Sequence, residues 1–169
     1  HRHLFPLKYN SCTFVRLTKQ NMKLSLLAHA NISMLDLSKR SCIYISGQMS
    51  GLEDLGKKEL DKMENSVREA GFLMVMNPYY MVDQEKKLTW ADCMVIDIKD
   101  IMNYGVRAAF LLDNWVESKG ATLEVILFLA LGIPLFDKNG NNITQRVFEQ
   151  FTPEFLHQKF VAMIATHEF

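Results

Sequence analysis

The chain has 169 residues, 49% apolar and 22% charged, ordinary proportions for one globular domain with a full hydrophobic core. Nineteen basic residues balance nineteen acidic ones, which argues against a field directed at a nucleic-acid polymer or an anionic membrane. Three widely spaced cysteines, Cys12, Cys42 and Cys93, show no CxxC or Cys/His ligand pattern, so a reduced compartment is expected and a structural zinc is not.

Residues 1–38 read as an appendage: basic at Arg2, Lys8, Arg16, Lys19 and Lys23, with weak periodicity and at most a short helix near 22–30. Met22 is a candidate translation start, which would make the first 21 residues an added extension. No tripartite secretory order and no apolar run of membrane-spanning length is present, so a cytoplasmic protein is expected.

From Cys42 a clear rhythm begins. Cys42-Ile-Tyr-Ile-Ser46 is a β-branched apolar run, closed by the glycine-bounded turn Gly47-Gln-Met-Ser-Gly51. From Leu52 to Ala70, the positions of Leu55, Leu60, Met63, Val67 and Ala70 predict a helix with one apolar stripe, stopped by Gly71. Phe72 to Met76 is continuously apolar, as in a strand covered on both faces, and Asn77-Pro78 ends it. Thr89 can cap a helix running to about Asn103. Val106 to Leu112 reads as a third strand, and Asp113 to Ser118 as the loop beyond it. Ala121 to Leu131 is a mostly apolar helix stopped by Gly132, and Ile133 to Phe136 a fourth strand. A turn cluster over 137–142 precedes two short helices, Thr144–Phe151 and Pro153–Thr166.

The alternation β-α-β-α-β-α-β with right-handed crossovers predicts an α/β fold. It is a doubly wound parallel sheet in a flavodoxin-like or Rossmann-like three-layer sandwich, with a C-terminal helical extension. The expected division is an appendage over 1–38, the α/β domain over 39–137 and the extension over 138–169. In such a sheet the ligand crevice lies beyond the carboxyl ends of the strands, where the strand order reverses. The turn Gly47–Gly51 and the loop Asp113–Gly120 belong there, each opening a helix whose N-terminus favours an anion such as phosphate. The first is also compatible with a plain structural turn, and it is not a GxGxxG fingerprint.

Glu124 is a carboxylate amid an apolar helix. It must be solvated, paired or functional, since unpaired burial costs several kcal/mol, and it either neutralises the helix N-terminus or serves a site. Asp97, within Met94-Val-Ile-Asp-Ile98, poses the same choice. By pattern alone Tyr44, Trp90 and Trp115 are core residues, and His29, His157 and His167 have no partner at a triad or ligand spacing.

Four motifs, in order and spacing, resemble the nucleoside 2-deoxyribosyltransferase-like superfamily, and most of all a small, mostly uncharacterised phage and bacterial branch of it. They are Ile43-Tyr-Ile-Ser-Gly-Gln-Met-Ser-Gly51, Gly71 to Asn77-Pro78, Trp90 to Asp97, and Trp115-Val-Glu-Ser-Lys-Gly-Ala-Thr-Leu-Glu124, together spanning roughly 41–137. The resemblance implies cleavage of the N-glycosidic bond of a (deoxy)nucleoside or its 5′-monophosphate, with the sugar passed to water or another base. It implies Glu124 as nucleophile, Asp97 as the acid that protonates the departing base, and Tyr44 as the residue orienting the glutamate. It also implies a substrate-binding set of Gly47, Gln48, Met49, Ser50, Gly51, Asn114, Trp115, Ser118 and Gly120, in which Ser118 and the first loop hold a 5′-phosphate. No cofactor, metal, nucleic-acid polymer or membrane is implied, and a homodimer or higher homo-oligomer is. The first loop lacks the arginine that some monophosphate-specific relatives carry, leaving phosphate preference open. Two other readings compete. One is a non-catalytic nucleotide-sensing module, opposed by the joint presence of Tyr44, Asp97 and Glu124. The other is a flavodoxin-like electron carrier, opposed by the absence of a Ser/Thr-rich phosphate loop.

Overall fold

The computed structural model describes residues 31–83 and 86–165, with side-chain surroundings given as far as Lys159. The proposed helix near 22–30 lies outside them. Four parallel strands, β1 (Cys42–Ser46), β2 (Met74–Met76), β3 (Val106–Leu111) and β4 (Leu135–Phe136), are arranged in the order β2-β1-β3-β4. Helices α1 (Lys57–Glu69), α2 (Pro78–Met81), α3 (Trp90–Asn103), α4 (Lys119–Leu131), α5 (Thr144–Gln150) and α6 (Pro153–Ala165) complete it. This is the expected doubly wound three-layer α/β fold with its C-terminal helices, and the strand order reverses between β1 and β3.

Alternation along β1 builds both halves of the core. Ile43 and Ile45 face α1, packing with Leu60, Met63, Val67, Ala108 and Phe110. Cys42 and Tyr44 point to the opposite face, among Ile101 of α3 and Val125, Phe128 and Leu129 of α4. All five residues of β1 are buried, as befits a central strand. Val147 of α5 is buried against the same α3/α4 layer, with Phe148 and Phe151 packed beside it.

Two sequence expectations are corrected. The helix predicted from Leu52 starts at Lys57: residues 52–56 form consecutive turns in which Leu55 (φ 53°) and Gly56 (φ 70°) are left-handed. Asp54 stops the helix from extending backwards, because its carboxylate accepts the N–H groups of Gly56 (3.0 Å) and Lys58 (3.1 Å). A Cβ at position 56 would lie 2.4 Å from the Gln48 carbonyl oxygen, so this turn needs glycine for space as well as for φ. The run 72–76 is a strand only over Met74–Met76 and is not covered on both faces. β2 is an edge strand, leaving Leu73 68% and Met74 46% exposed. Asn77 then caps the short helix α2, accepting the Tyr79 N–H at 3.1 Å with Pro78 in the first turn, an element the sequence reading did not anticipate.

The other elements lie close to their expected limits. Thr89 caps α3 in a reciprocal box with Asp92, and Gly132 ends α4 at φ 68°. β3 closes one residue early and β4 begins two residues later than expected. A short 3-10 turn, Trp115–Glu117, lies within the loop after β3. No helix of the described residues is long and apolar enough to cross a membrane.

Candidate active site

The switch point brings together groups far apart in sequence. Glu124, in the second turn of α4, is 5% exposed and faces β1. Tyr44 Oη donates to Glu124 Oε1 at 2.8 Å, and Ser46 Oγ donates to Glu124 Oε2 at 2.5 Å. Both donors stand on the same face of β1, two residues apart, so one strand grips both oxygens of one carboxylate. The Tyr44 ring is fixed from the side by Phe128, one turn beyond Glu124, at a centroid distance of 5.5 Å.

Asp97 enters from α3. It is 6% exposed, and its Oδ1 is buried with no hydrogen-bond partner. On α3 the series Trp90, Met94, Asp97 shares one face, and on α4 Gly120 and Glu124 do. The two faces meet: a Cβ on Gly120 would lie 3.2 Å from Met94 Sδ and 3.8 Å from both Trp90 Nε1 and Ser118 Oγ. A side chain at position 120 would crowd the gap between the helices.

The electrostatics separate the two carboxyl groups. Burial raises the pKa of Glu124, and the hydrogen bonds from Ser46 and Tyr44 oppose that rise. Asp97 is pushed up to about 8, first by burial, then by the charge of Glu124 and that of Asp100. Glu124 has two hydroxyl donors to oppose the effect of burial and Asp97 Oδ1 has none, so the surroundings favour the negative charge on Glu124 over Asp97. Burial, followed by the charges of Glu124 and Asp97, holds Tyr44 well above an ordinary phenol, so it remains a donor. The Cys93 thiol, one turn before Asp97, is likewise raised by burial and by Asp97, which disfavours a nucleophilic thiolate.

The remaining predicted residues fall into two groups. Asn114 joins the two loops, its Oδ1 accepting the Gln48 N–H at 3.2 Å, so that backbone donor of the first loop is already engaged. Gly47 lies under Leu112, where a Cβ would come within 2.5 Å of a side-chain carbon, so the first loop leaves β1 pressed against the end of β3. Ser118 caps α4, accepting the Ala121 N–H at 3.2 Å through its Oγ. Ser50 and Gly51 are exposed at the loop tip. Met49 and Trp115 also pack against the core. Met49 lies against the α1-side core, and the buried Trp115 stacks on Phe151 at 6.1 Å.

Sequence reasoning missed Ser46, although its separation of two from Tyr44 put it on the same face. A separate cleft of about 480 Å³ lies beside the ends of β3 and β4 on the α1 side, lined by Glu59, Lys62, Ser66, Asp113, Asn114 and Lys138 among others. It shares Asn114 with the loops but includes neither Glu124 nor Asp97. Among the described residues no group of three or more His, Cys, Asp or Glu side chains is placed to hold a metal ion.

Residues 41–137 match the family described as a domain of unknown function (DUF4406), and the chain belongs to that family. The matched span contains all four strands together with Tyr44, Ser46, Asp97 and Glu124. No curated protein and no solved structure matches the chain.

Proposed function

We propose that this member of the DUF4406 family cleaves the N-glycosidic bond of a (deoxy)nucleoside or its 5′-monophosphate through a glycosyl–Glu124 intermediate. The observation that carries the reading is a pair of buried carboxyl groups in unlike surroundings, Glu124 held by two hydroxyls and Asp97 with a buried Oδ1 that has no hydrogen-bond partner. The motif resemblance to nucleoside 2-deoxyribosyltransferase-like proteins supports it. A Glu124 oxygen attacks the anomeric carbon as the bond to the base nitrogen breaks, and the Asp97 proton goes to the departing base. The Asp97 carboxylate then takes a proton from water or an acceptor base, which attacks the same carbon and frees Glu124. Incubation with deoxynucleosides, ribonucleosides and their 5′-monophosphates, followed by chromatography of the free base, tests this directly. Release of base from at least one is expected, and no release from any would overturn the reading.

Under this proposal Ser118 contacts the 5′-phosphate. Its Oγ accepts within the helix cap, which leaves the hydroxyl proton to donate. Ser118→Ala should weaken binding of a monophosphate relative to its nucleoside by about 1.5–3 kcal/mol, as for a lost hydrogen bond to a charged group. It should also lower stability by about 1 kcal/mol through the lost cap. An unchanged ratio of the two affinities in calorimetric titration would move the phosphate away from this loop.

The proposal extends to a homo-oligomer, with a two-fold dimer the simplest form. Val95, Ile98 and Met102 of α3 are exposed at helical spacing, and Leu131 at the end of α4 is also exposed. The C-terminal helices already bury part of the α3/α4 layer through Val147, Phe148 and Phe151. Light scattering at micromolar concentration should give a multiple of 19.5 kDa, and the mass of a single chain would remove this part of the proposal.

A further inference from the structure

Glu124 lies in an apolar interior without a cation beside it: none of the ion pairs found among the described residues involves it. The charged and titratable groups that act on this cluster are Tyr44 from β1 and Asp97 and Asp100 from α3. Burial opposes its ionisation, and Tyr44 assists through one hydrogen bond to Oε1. The remaining donor is Ser46, which is fully buried at the end of β1.

The backbone of Ser46 is fixed on both sides of the hydroxyl. Its carbonyl accepts the Leu112 N–H at 2.9 Å, its Cα lies in register with Leu111, and the following Gly47 is pressed against Leu112. The hydroxyl therefore projects from a rigid central strand, and at 2.5 Å its bond to Oε2 is in the short range of charge-assisted O–H···O contacts. One donor would let the carboxylate swing about its terminal torsion, which is soft. Two donors on opposite oxygens, both from one strand, fix the plane of the group.

We infer that Ser46 is a positioning residue that orients Glu124 and stabilises its charged form for attack; this deepens the proposed glycosidase reading and rests on it for the attack. Ser46 need not touch the substrate, and the proton it donates to Oε2 stays on the hydroxyl throughout. If Oε1 forms the glycosyl bond, Oε2 becomes the ester carbonyl oxygen, and the Ser46 hydroxyl remains its donor.

The test is an infrared titration of the carboxylate stretching band of Glu124, assigned by its loss in Glu124→Gln, in the wild-type protein and in Ser46→Ala and Ser46→Thr. Losing one hydrogen bond to a charged group corresponds to about one to two pH units, so the midpoint should rise by that amount in Ser46→Ala and return towards wild type in Ser46→Thr. In parallel, the acid limb of kcat/KM for base release should move upward by the same interval, with kcat falling more than KM changes. A serine that merely filled space would move neither. An unchanged midpoint in Ser46→Ala would overturn the assignment. A shifted midpoint in a protein that releases no base from any substrate would support the role of Ser46 on the carboxylate and remove the glycosidase reading.

Discussion

Glu124→Gln is expected to lower glycosidic cleavage by at least about three orders of magnitude, the scale seen when a nucleophile is removed from a site that otherwise stays intact. The substitution keeps the volume and removes the charge that the proposed covalent step requires. Its amide oxygen can still accept from one hydroxyl of the Tyr44–Ser46 pair, and its NH₂ can donate to the other, so no hydroxyl is orphaned. The fold should therefore survive, and circular dichroism with thermal unfolding would show it. Turnover at the wild-type rate in a folded variant would mean that another group attacks the sugar.

Asp97→Asn should produce the second large effect, with activity and stability moving in opposite directions. Asparagine has no acidic proton, so cleavage of substrates with poor leaving groups should fall by about 10²–10⁴-fold, while an activated leaving group is largely spared. The proposed first step needs Asp97 protonated, so kcat/KM should decline as pH rises through about 8, and this limb should vanish in the variant. The stability argument has a definite sign. The folded pKa lies above the unfolded value of about 4, so the native state holds the proton longer. That contribution is complete below about pH 4 and is lost as pH rises through about 8. Asparagine does not titrate, so Asp97→Asn should gain on the wild-type melting temperature between pH 5 and pH 9. Equal loss of activity for both leaving groups, or a constant difference in melting temperature, would make Asp97 a structural residue.

The parts of this fold that were legible in sequence are those whose local chemistry agrees with their tertiary setting. Thr89 with Asp92, and Gly132, mark the start of α3 and the end of α4 because caps and left-handed glycines act within a few residues. The start of α1 was misread because Leu55 fits the apolar period, while the local signals at Asp54 and Gly56 oppose a helix and prevail. β2 was misread because an apolar run does not reveal whether its strand is central or at an edge; that depends on strand order. The site shows the same division. Glu124 stood out as a carboxylate in an apolar helix, but its contact with Tyr44 spans 80 residues of sequence and exists only through the crossover topology. Ser46 was passed over because a serine between a strand and a glycine looks like turn punctuation. Only the register of β1 against β3 reveals that it is buried and directed at a carboxylate.

The tail beyond the family match has an architectural consequence. Phe151 stacks on Trp115, Lys159 donates to the Val116 carbonyl, and Thr144 Oγ1 accepts the Leu135 N–H at 2.9 Å. The C-terminal helices are thus stitched to the floor of the loop that leads into α4 and to the last strand of the sheet. Cutting the chain after Asp137 would leave Trp115 without its stacking partner and the loop without that tether, although every carboxyl group of the site would remain. The segment matched by the family and the packed unit are therefore different lengths of chain. Substitutions in α5 and α6 would reach the Ser118 loop through Trp115 and Val116 while leaving the hydrogen bonds of Tyr44 and Ser46 to Glu124 untouched.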